Sequence, residues 1–180
     1  MRVALIVKSG HQDSGVGRYA RELERGLLQA GCEVVKVYPL VPFPGWFLQA
    51  VRTVLGWDLG EFFNTYPLLA RYPRADIYHF SSQNLATLLL LCPPRGKTVV
   101  TVHDIFPALL DNYPEIRINN HAFDRLFDRM AMSGLRRAGH IICVSTFSKD
   151  TLWQHLKPDQ MKVSVVLEGV KTGACVARKA

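Results

Sequence analysis

Short apolar runs rich in β-branched residues alternate with longer segments of helical periodicity along most of this chain. Six of these runs have the length and composition of strands. They are Arg2–Lys8, Glu33–Tyr38, Asp76–Phe80, Lys97–Val102, His140–Val144 and Lys162–Leu167. Because helical segments separate the strands, the pattern predicts parallel strands joined by right-handed crossovers. The chain is therefore predicted to be an α/β protein with a doubly wound, mainly parallel sheet flanked by helices.

The helical segments between these strands decide which loops meet at the edge of the sheet. They are Gly17–Ala30, Asn84–Leu91, Asn119–Arg137 and a helix that starts at Ser145. In the doubly wound strand order 3-2-1-4-5-6, strands one and four are neighbours, and a crevice opens above their carboxyl ends. That order predicts that the loops Ser9–Gly17 and His103–Pro107 line one crevice.

Composition narrows the class of protein. The 180 residues are 48% hydrophobic and 21% charged, which suits one globular domain with a sizeable core. No apolar run has the length of a membrane span, and the first residues do not have the pattern of a signal peptide, so a cytoplasmic protein is expected. The four cysteines are widely spaced without a Cys-x-x-Cys pair, and we expect reduced thiols rather than disulfides or a metal site.

The charge of the chain favours anionic partners. Lysine and arginine outnumber the acidic residues by 22 to 15, which gives a net charge of +7. Nucleotides, phospholipid surfaces and nucleic acid all fit such a surplus. We expect no nucleic-acid partner, because the chain has no helix-turn-helix, zinc-finger or RNP-type pattern.

The segment Gly15-Val16-Gly17-Arg18 comes soon after the first strand and opens a helix. Two interpretations fit these glycines: close approach of a phosphate to the backbone at the helix N-terminus, or tight packing between strand and helix. Arg18 can place its guanidinium over a diphosphate or point into solvent. An NAD site is not expected, because the loop before Val16 is long and the second strand does not end in an acid.

Four segments occur in a characteristic order along the chain. They are Gly15–Leu23, Asp76–His79, Thr98–Asp104 and Ile142–Lys149. Together they resemble the N-terminal domain of glycosyltransferase family 4, whose members have the GT-B architecture of two Rossmann-like domains. The resemblance implies an acceptor-binding domain of a retaining enzyme, which moves a sugar from a nucleotide-sugar donor to a glycan, lipid-linked or small-molecule acceptor. It implies no cofactor and no metal.

The chain departs from that family at its C-terminal end. Leu167-Glu168-Gly169-Val170 stands where the family usually has Pro-Asn-Gly-Val, and residues 171–180 resemble no domain start. We therefore expect residues 1–170 to form the Rossmann-like acceptor-side domain and residues 171–180 to be a tail or a truncated interdomain linker. The family's C-terminal nucleotide-binding domain is then a missing partner, and the 180-residue chain alone is expected to be inactive. A non-catalytic binding module, or a degenerate fragment with the same fold, is the alternative.

His103 and Asp104 follow the fourth predicted strand and are the candidate catalytic residues. An imidazole at the switch point can donate to a developing charge or position an acceptor hydroxyl, while the alternative is a packing role. The resemblance favours the functional interpretation of His103. Asp104 either orients His103 or a sugar hydroxyl, or caps the following turn.

His79 and Ser145 also stand at strand ends and are candidates for the acceptor site or the cleft rim. The favoured alternative for His79 is a half-buried residue beside Phe80. For Ser145 the favoured alternative is the N-cap of the following helix.

Residues 43–57 carry two tryptophans and few charges between the second and third strands. This segment either packs on the sheet as the crossover helix, which is the default, or projects to touch a membrane or an isoprenoid carrier. Arg125, Arg129 and Arg136 share one face of a predicted helix, which is either solvated or in contact with anionic lipid. Peripheral contact with the inner membrane face is accordingly assigned to five residues: Trp46, Phe47, Trp57, Arg125 and Arg129.

Overall fold

The computed structural model describes residues 1–10, 14–105, 122–156, 163–167 and 169. The strands are β1 (Arg2–Ile6), β2 (Glu33–Val37), β3 (Ile77–Phe80), β4 (Lys97–Val102), β5 (His140–Cys143) and β6 (Val163–Val165). The helices are α1 (Gly15–Gln29), α2 (Gly45–Leu55), α3 (Leu59–Thr65), α4 (Thr87–Leu91), α5 (Ala122–Leu135) and α6 (Thr146–Leu156), and a 3₁₀ turn spans Gln83–Ala86. All six strands were predicted to within two residues at each end.

The predicted helices are confirmed less closely than the strands. The segment predicted as one helix over Asn84–Leu91 is the 3₁₀ turn followed by the short α4. The first residues of the predicted helix Asn119–Arg137 lie outside the described residues, as do parts of the two predicted crevice loops. The predicted tail 171–180 lies outside them too.

The six strands form one parallel sheet in the order β2-β1-β3-β4-β5-β6. The predicted order 3-2-1-4-5-6 is therefore wrong, because β3 lies between β1 and β4 instead of at the far edge. Burial gives the physical reason: Tyr78, His79 and Phe80 of β3 are all buried, which suits a central strand, whereas β2 is half exposed and suits an edge. The switch point of the sheet consequently lies between β1 and β3.

The core lies between the central strands and the helices of the chain's second half. Its fully buried side chains include Phe80, Leu88, Val100, Leu135, Ile141 and Leu152. A Cβ added to Gly134 of α5 would overlap the backbone carbonyl of Ala86, so α5 lies against the 3₁₀ turn at backbone contact. This close packing fixes the turn, which carries Gln83 to the carboxyl edge of the sheet.

The tryptophan segment does not pack on the sheet, and that default prediction is wrong. α2 has no buried residue, and Trp46 is 74% exposed. α3 supplies the buried side chains of this crossover instead, because Phe63 joins Phe127 of α5 in a separate apolar cluster. α2 contributes no residue to this cluster, whereas Phe43, which precedes α2, has its ring centroid 5.5 Å from that of Phe63. None of the helices in the described ranges has both the length and the apolar character needed to span a bilayer.

Candidate functional site

An open pocket of about 520 Å³ lies over the carboxyl ends of β1, β2 and β3. Residues of α1 and α3 contribute to its walls. The connection after β1 leads to one side of the sheet and the connection after β3 to the other, so this is the place where open α/β sheets bind ligands. The polar lining includes Lys8, Ser9, Ser14, Arg21, Glu61 and Ser81.

The glycine segment begins α1 at the edge of this pocket. Ser14 is the N-cap, and its Oγ accepts a hydrogen bond from the N–H of Gly17 at 3.0 Å. The N–H groups of Gly15 and Val16 precede the first intrahelical hydrogen bond and are the donors that the helix end presents. A Cβ placed on Gly15 meets nothing within 4 Å, so close packing does not explain this glycine. The space beside it leaves room for a ligand to approach the backbone.

Arg18 and Arg21 lie one turn apart on α1 and differ in their relation to the pocket. Arg18 is exposed and is not part of the lining, which agrees with its solvent-facing interpretation. Arg21 does line the pocket and brings a guanidinium to its mouth.

Lys8 follows β1 and is half buried in the wall of the pocket. Its Nζ donates to Thr65 Oγ1 at 3.4 Å, which is long for a hydrogen bond. Burial lowers the pKa of Lys8, while the charges of Glu61 and Asp104 act to raise it. The ammonium group has therefore lost water without gaining a close partner among the described residues.

His103 lies just beyond β4 and is held by both its backbone and its ring. Its Nε2–H donates to the carbonyl oxygen of Ser81 at 2.9 Å, and its backbone N–H donates to Gln83 Oε1 at 3.2 Å. Its ring meets that of Tyr19 edge to face, with centroids 4.8 Å apart. The structure therefore brings His103 next to the helix that the glycine segment begins, although the predicted reason, adjacency of strands one and four, is wrong.

Asp104 is half buried beside His103. Its Oδ1 accepts a hydrogen bond from Gln83 Nε2 at 3.3 Å. Gln83 thus contacts both predicted catalytic residues, with its carbonyl oxygen on His103 and its amide nitrogen on Asp104.

His79 is buried beneath the edge of the sheet, which contradicts a place on the cleft rim. Its Nε2 shares a hydrogen bond of 2.8 Å with Thr101 Oγ1, and the same oxygen lies 2.9 Å from the hydroxyl of Tyr19. Burial lowers the pKa of His79 to about 4, so its ring is neutral at pH 7. His79 therefore supports Tyr19, and through it the ring of His103, from below.

Ser145 acts as the N-cap of α6, as its favoured interpretation predicts. Its Oγ accepts a hydrogen bond from the N–H of Ser148 at 3.0 Å. Ser148 Oγ in turn donates to the carbonyl oxygen of His103 at 3.1 Å. The start of α6 thus holds the backbone of the His103 loop.

The residues predicted to contact a membrane differ in exposure. Trp46 and Trp57 are exposed, whereas Phe47 is half buried, with its ring centroid 5.2 Å from that of Phe43. On α5, Arg129 is exposed and Arg125 is half exposed. The two regions adjoin, because Trp57 lines a small apolar pocket of about 200 Å³ together with Phe123 of α5. Phe123 and Leu126 of the same helix are also 41% and 53% exposed.

The sequence did not single out Lys8, Tyr19, Ser81, Gln83 or Thr101 as site residues. Tyr19 had a signal, because it directly follows the glycine segment. The roles of Ser81 and Thr101 depend on the pairing of β3 with β1 and β4, which the predicted strand order did not contain. In the part of the chain that the structure describes, no cluster of three or more His, Cys, Asp or Glu side chains is placed to hold a metal ion.

The parallel sheet, its strand order and the pocket at its carboxyl edge define a Rossmann-like α/β domain, of the kind found in GT-B glycosyltransferases. The chain belongs to glycosyltransferase family 4, because the model of that family matches residues 14–173. No curated protein sequence matches the chain.

Two solved structures are similar to this domain. Sucrose-phosphate synthase from Thermosynechococcus elongatus is 14% identical with a TM-score of 0.56, and the match covers 94% of this chain and 48% of that one. UGT73P12 of Glycyrrhiza uralensis, complexed with glycyrrhetinic acid 3-O-monoglucuronide, is 8% identical with a TM-score of 0.45. That match covers 92% of this chain and 48% of UGT73P12. The chain therefore spans about half the length of each. The similarity to sucrose-phosphate synthase, at 14% identity, shows the fold alone. The TM-score of 0.45 for the second structure is too low to support any conclusion.

Proposed function

We propose that this chain is the acceptor-side domain of a retaining glycosyltransferase that takes a hexose from a nucleotide-sugar donor. The observation that carries the proposal is the position of His103, which three elements hold at the switch-point edge beside the start of α1. A group held in place before the substrate arrives does not have to be ordered during the reaction. The family membership of the chain supports the same reaction class.

In this proposal His103 and Asp104 lie against the reacting groups, and the glycine segment lies against the donor phosphates. His103 Nε2–H donates to the carbonyl oxygen of Ser81, which holds the ring in one orientation beside the start of α1, as the positioning of an acceptor hydroxyl requires. The N–H groups of Gly15 and Val16 present partial positive charge to the diphosphate of the donor. A C-terminal nucleotide-binding domain supplies the other donor contacts.

The test is sugar transfer by the domain joined to its nucleotide-binding domain, with one histidine changed at a time. His103→Ala is expected to lower kcat by about ten-fold to a thousand-fold, the effect of losing a positioned proton-transfer or charge-stabilising group. The matched control is His140→Ala, which removes an imidazole at the opposite end of the sheet. Equal rates for the two variants would contradict the role of His103.

We also propose that α2 and the arginines of α5 rest on the cytoplasmic face of an anionic membrane. The specific observation is that α2 buries none of its residues and presents Trp46 and Val54, which are 74% and 78% exposed. Interfacial tryptophans and nearby arginines are the combination that anionic lipid surfaces attract. Arg129 on the adjoining helix supplies such a charge.

Co-sedimentation with liposomes tests this membrane contact. Trp46→Ser and Arg129→Gln are each expected to reduce the bound fraction on phosphatidylglycerol vesicles, while Trp153→Ser, which alters an exposed tryptophan of α6, leaves it unchanged. Added salt should release the protein, since the Debye length is about 10 Å at 0.1 M ionic strength. If the protein bound phosphatidylcholine vesicles as well as phosphatidylglycerol vesicles, the arginines would have no role in the contact. Absence of binding to either kind of vesicle would overturn the proposed membrane contact.

A further inference from the structure

The side chain of Ser81 is a buried polar group that the fold leaves unsatisfied. Ser81 is fully buried, and its Oγ has no hydrogen-bond partner in the described residues. A buried hydroxyl without a partner destabilises the fold, because it has lost its hydrogen bonds to water and gained none. Because Ser81 also lines the switch-point pocket, a ligand in that pocket is positioned to supply the missing partner.

Lys8 and Ser81 follow β1 and β3, the two strands that pair at the switch point. The N–H of Ser81 donates to the carbonyl oxygen of Ile6 at 3.0 Å, which places Ser81 beside Val7, the residue before Lys8. Lys8 Nζ has only the 3.4 Å contact with Thr65 Oγ1, and no ion pair is recorded for it among the described residues. Two donors thus line the same pocket: Ser81 Oγ has no hydrogen-bond partner among the described residues, and the cationic Lys8 Nζ has only the long contact with Thr65 Oγ1.

The other charges of the pocket indicate what kind of molecule fits. Lys36 is paired with Glu24 at 2.7 Å, so its charge is already compensated. Among the described lining residues, Lys8 and Arg21 then stand against one carboxylate, that of Glu61. Cationic donors suit an oxyanion, and carboxylate and serine oxygens suit sugar hydroxyls. A sugar that carries an anionic group matches both.

We propose that this pocket binds the acceptor sugar through an oxyanion group, phosphoryl or carboxylate, held by Lys8 Nζ and Ser81 Oγ with Arg21 at the mouth. The inference rests on the proposed function, because it names the acceptor of the same reaction as an anionic sugar. Ser81 connects the two parts of the site, since it lines the pocket while its carbonyl oxygen holds His103. An acceptor anchored at Lys8 can therefore extend past Ser81 toward His103.

Isothermal titration of the 180-residue chain with inorganic phosphate, glucose 6-phosphate, glucose and UDP tests this inference at fixed ionic strength. Glucose 6-phosphate is expected to bind more tightly than phosphate, and glucose not measurably. Lys8→Met should weaken the binding of glucose 6-phosphate about ten-fold or more, because it removes a charge-assisted hydrogen bond. Lys97→Met, at the exposed start of β4, is the matched control and should leave the affinity unchanged.

Ser81→Ala separates a binding role from a structural one. It should weaken binding of glucose 6-phosphate about three-fold to ten-fold while leaving the unfolding midpoint unchanged or raised, because the lost hydroxyl has no partner among the described residues. Ser133→Ala, on the exposed side of α5, is its control. A lowered midpoint with unchanged affinity would show a structural role and overturn the assignment.

The remaining outcomes are also decisive. UDP that binds more tightly than glucose 6-phosphate and depends on Lys8 would assign the pocket to the donor and overturn the acceptor assignment. If Lys8→Met leaves phosphate binding unaffected, the binding is diffuse attraction to a basic protein. That result would also overturn the acceptor assignment. Because binding to this chain is the readout, its failure is distinct from a failure of sugar transfer in the completed enzyme.

Discussion

Two histidines on neighbouring strands have different chemistry because of what surrounds each ring. His79 is buried with its ring hydrogen-bonded to the hydroxyl of Thr101, and burial keeps that ring neutral at pH 7 by lowering its pKa to about 4. His103, beyond the end of the next strand, is half exposed; its ring donates to the carbonyl oxygen of Ser81 and its backbone N–H donates to Gln83 Oε1. In our proposal, the ring of His103 takes part in the reaction and the ring of His79 supports it from below.

The burial of His79 predicts a dependence of stability on pH. The pKa of His79 is about 4 in the folded protein and near 6.5 when the chain is unfolded, so the unfolded chain takes up the proton first. The free energy of unfolding is therefore expected to fall by roughly 3 kcal/mol from this group as the pH drops from about 6.5 to about 4. Urea unfolding at a series of pH values measures it.

The matched variants isolate this histidine from the carboxyl groups that titrate nearby. His79→Gln keeps a donor for Thr101 and removes the titration, so its stability should fall less over the same pH range than that of the natural chain. His140→Gln, at a half-exposed site, should keep the full dependence. If the free energy of unfolding of His79→Gln falls with pH as steeply as that of the natural chain, the buried neutral ring is not the source of the pH dependence.

At the residue scale, the sequence indicated the site residues that directly follow strands. It did not indicate most of the residues that hold them in place. His103 and Asp104 follow an apolar β-branched run, so their place at the carboxyl edge could be predicted. Ser81, Gln83 and Thr101 act through contacts between strands, and those contacts depend on the strand order. Their residue types alone are compatible with any loop or strand end.

At the scale of elements, α5 determines where the 3₁₀ turn lies, and the turn determines where Gln83 points. The contact depends on Gly134, because any side chain there would overlap the carbonyl of Ala86. Helices approach each other this closely only where a residue lacks a side chain.

Gly134→Ala is accordingly expected to destabilise the protein by about 1 to 3 kcal/mol, the usual cost of overpacking. Gly26→Ala is the matched control, because it lies in α1 and its added Cβ meets nothing within 4 Å. That control should stabilise the protein by roughly 0.5 to 1 kcal/mol, since alanine favours a helix interior. Chemical denaturation measures both, and equal effects would contradict the close contact.

The strand order could not be read from the sequence because two orders satisfy the same alternation of strands and helices. Both give a parallel sheet with right-handed crossovers, and they differ in which side of β1 receives β3. Because Tyr78, His79 and Phe80 are all buried, the central position of β3 is the one that fits. His79 obscures the apolar pattern expected of a central strand, because a polar residue there predicts exposure. Its hydrogen bond to Thr101, which permits its burial, exists only once the strands pair.

At the scale of the whole molecule, the described fold corresponds to half of a GT-B enzyme. The match covers 94% of this chain and 48% of sucrose-phosphate synthase. The pocket and His103 both lie at the carboxyl edge of the sheet. In our proposal, the donor-binding domain faces that edge.

Sugar transfer by the purified 180-residue chain, measured with and without an added nucleotide-binding domain, tests the central claim most directly. The account predicts no transfer from any nucleotide-sugar donor by the chain alone, because the contacts that hold the nucleotide are supplied by the other domain. It predicts transfer when that domain is supplied, with a rate that depends on His103. Robust turnover by the chain alone would contradict the account, and so would a completed enzyme that is unaffected by His103→Ala.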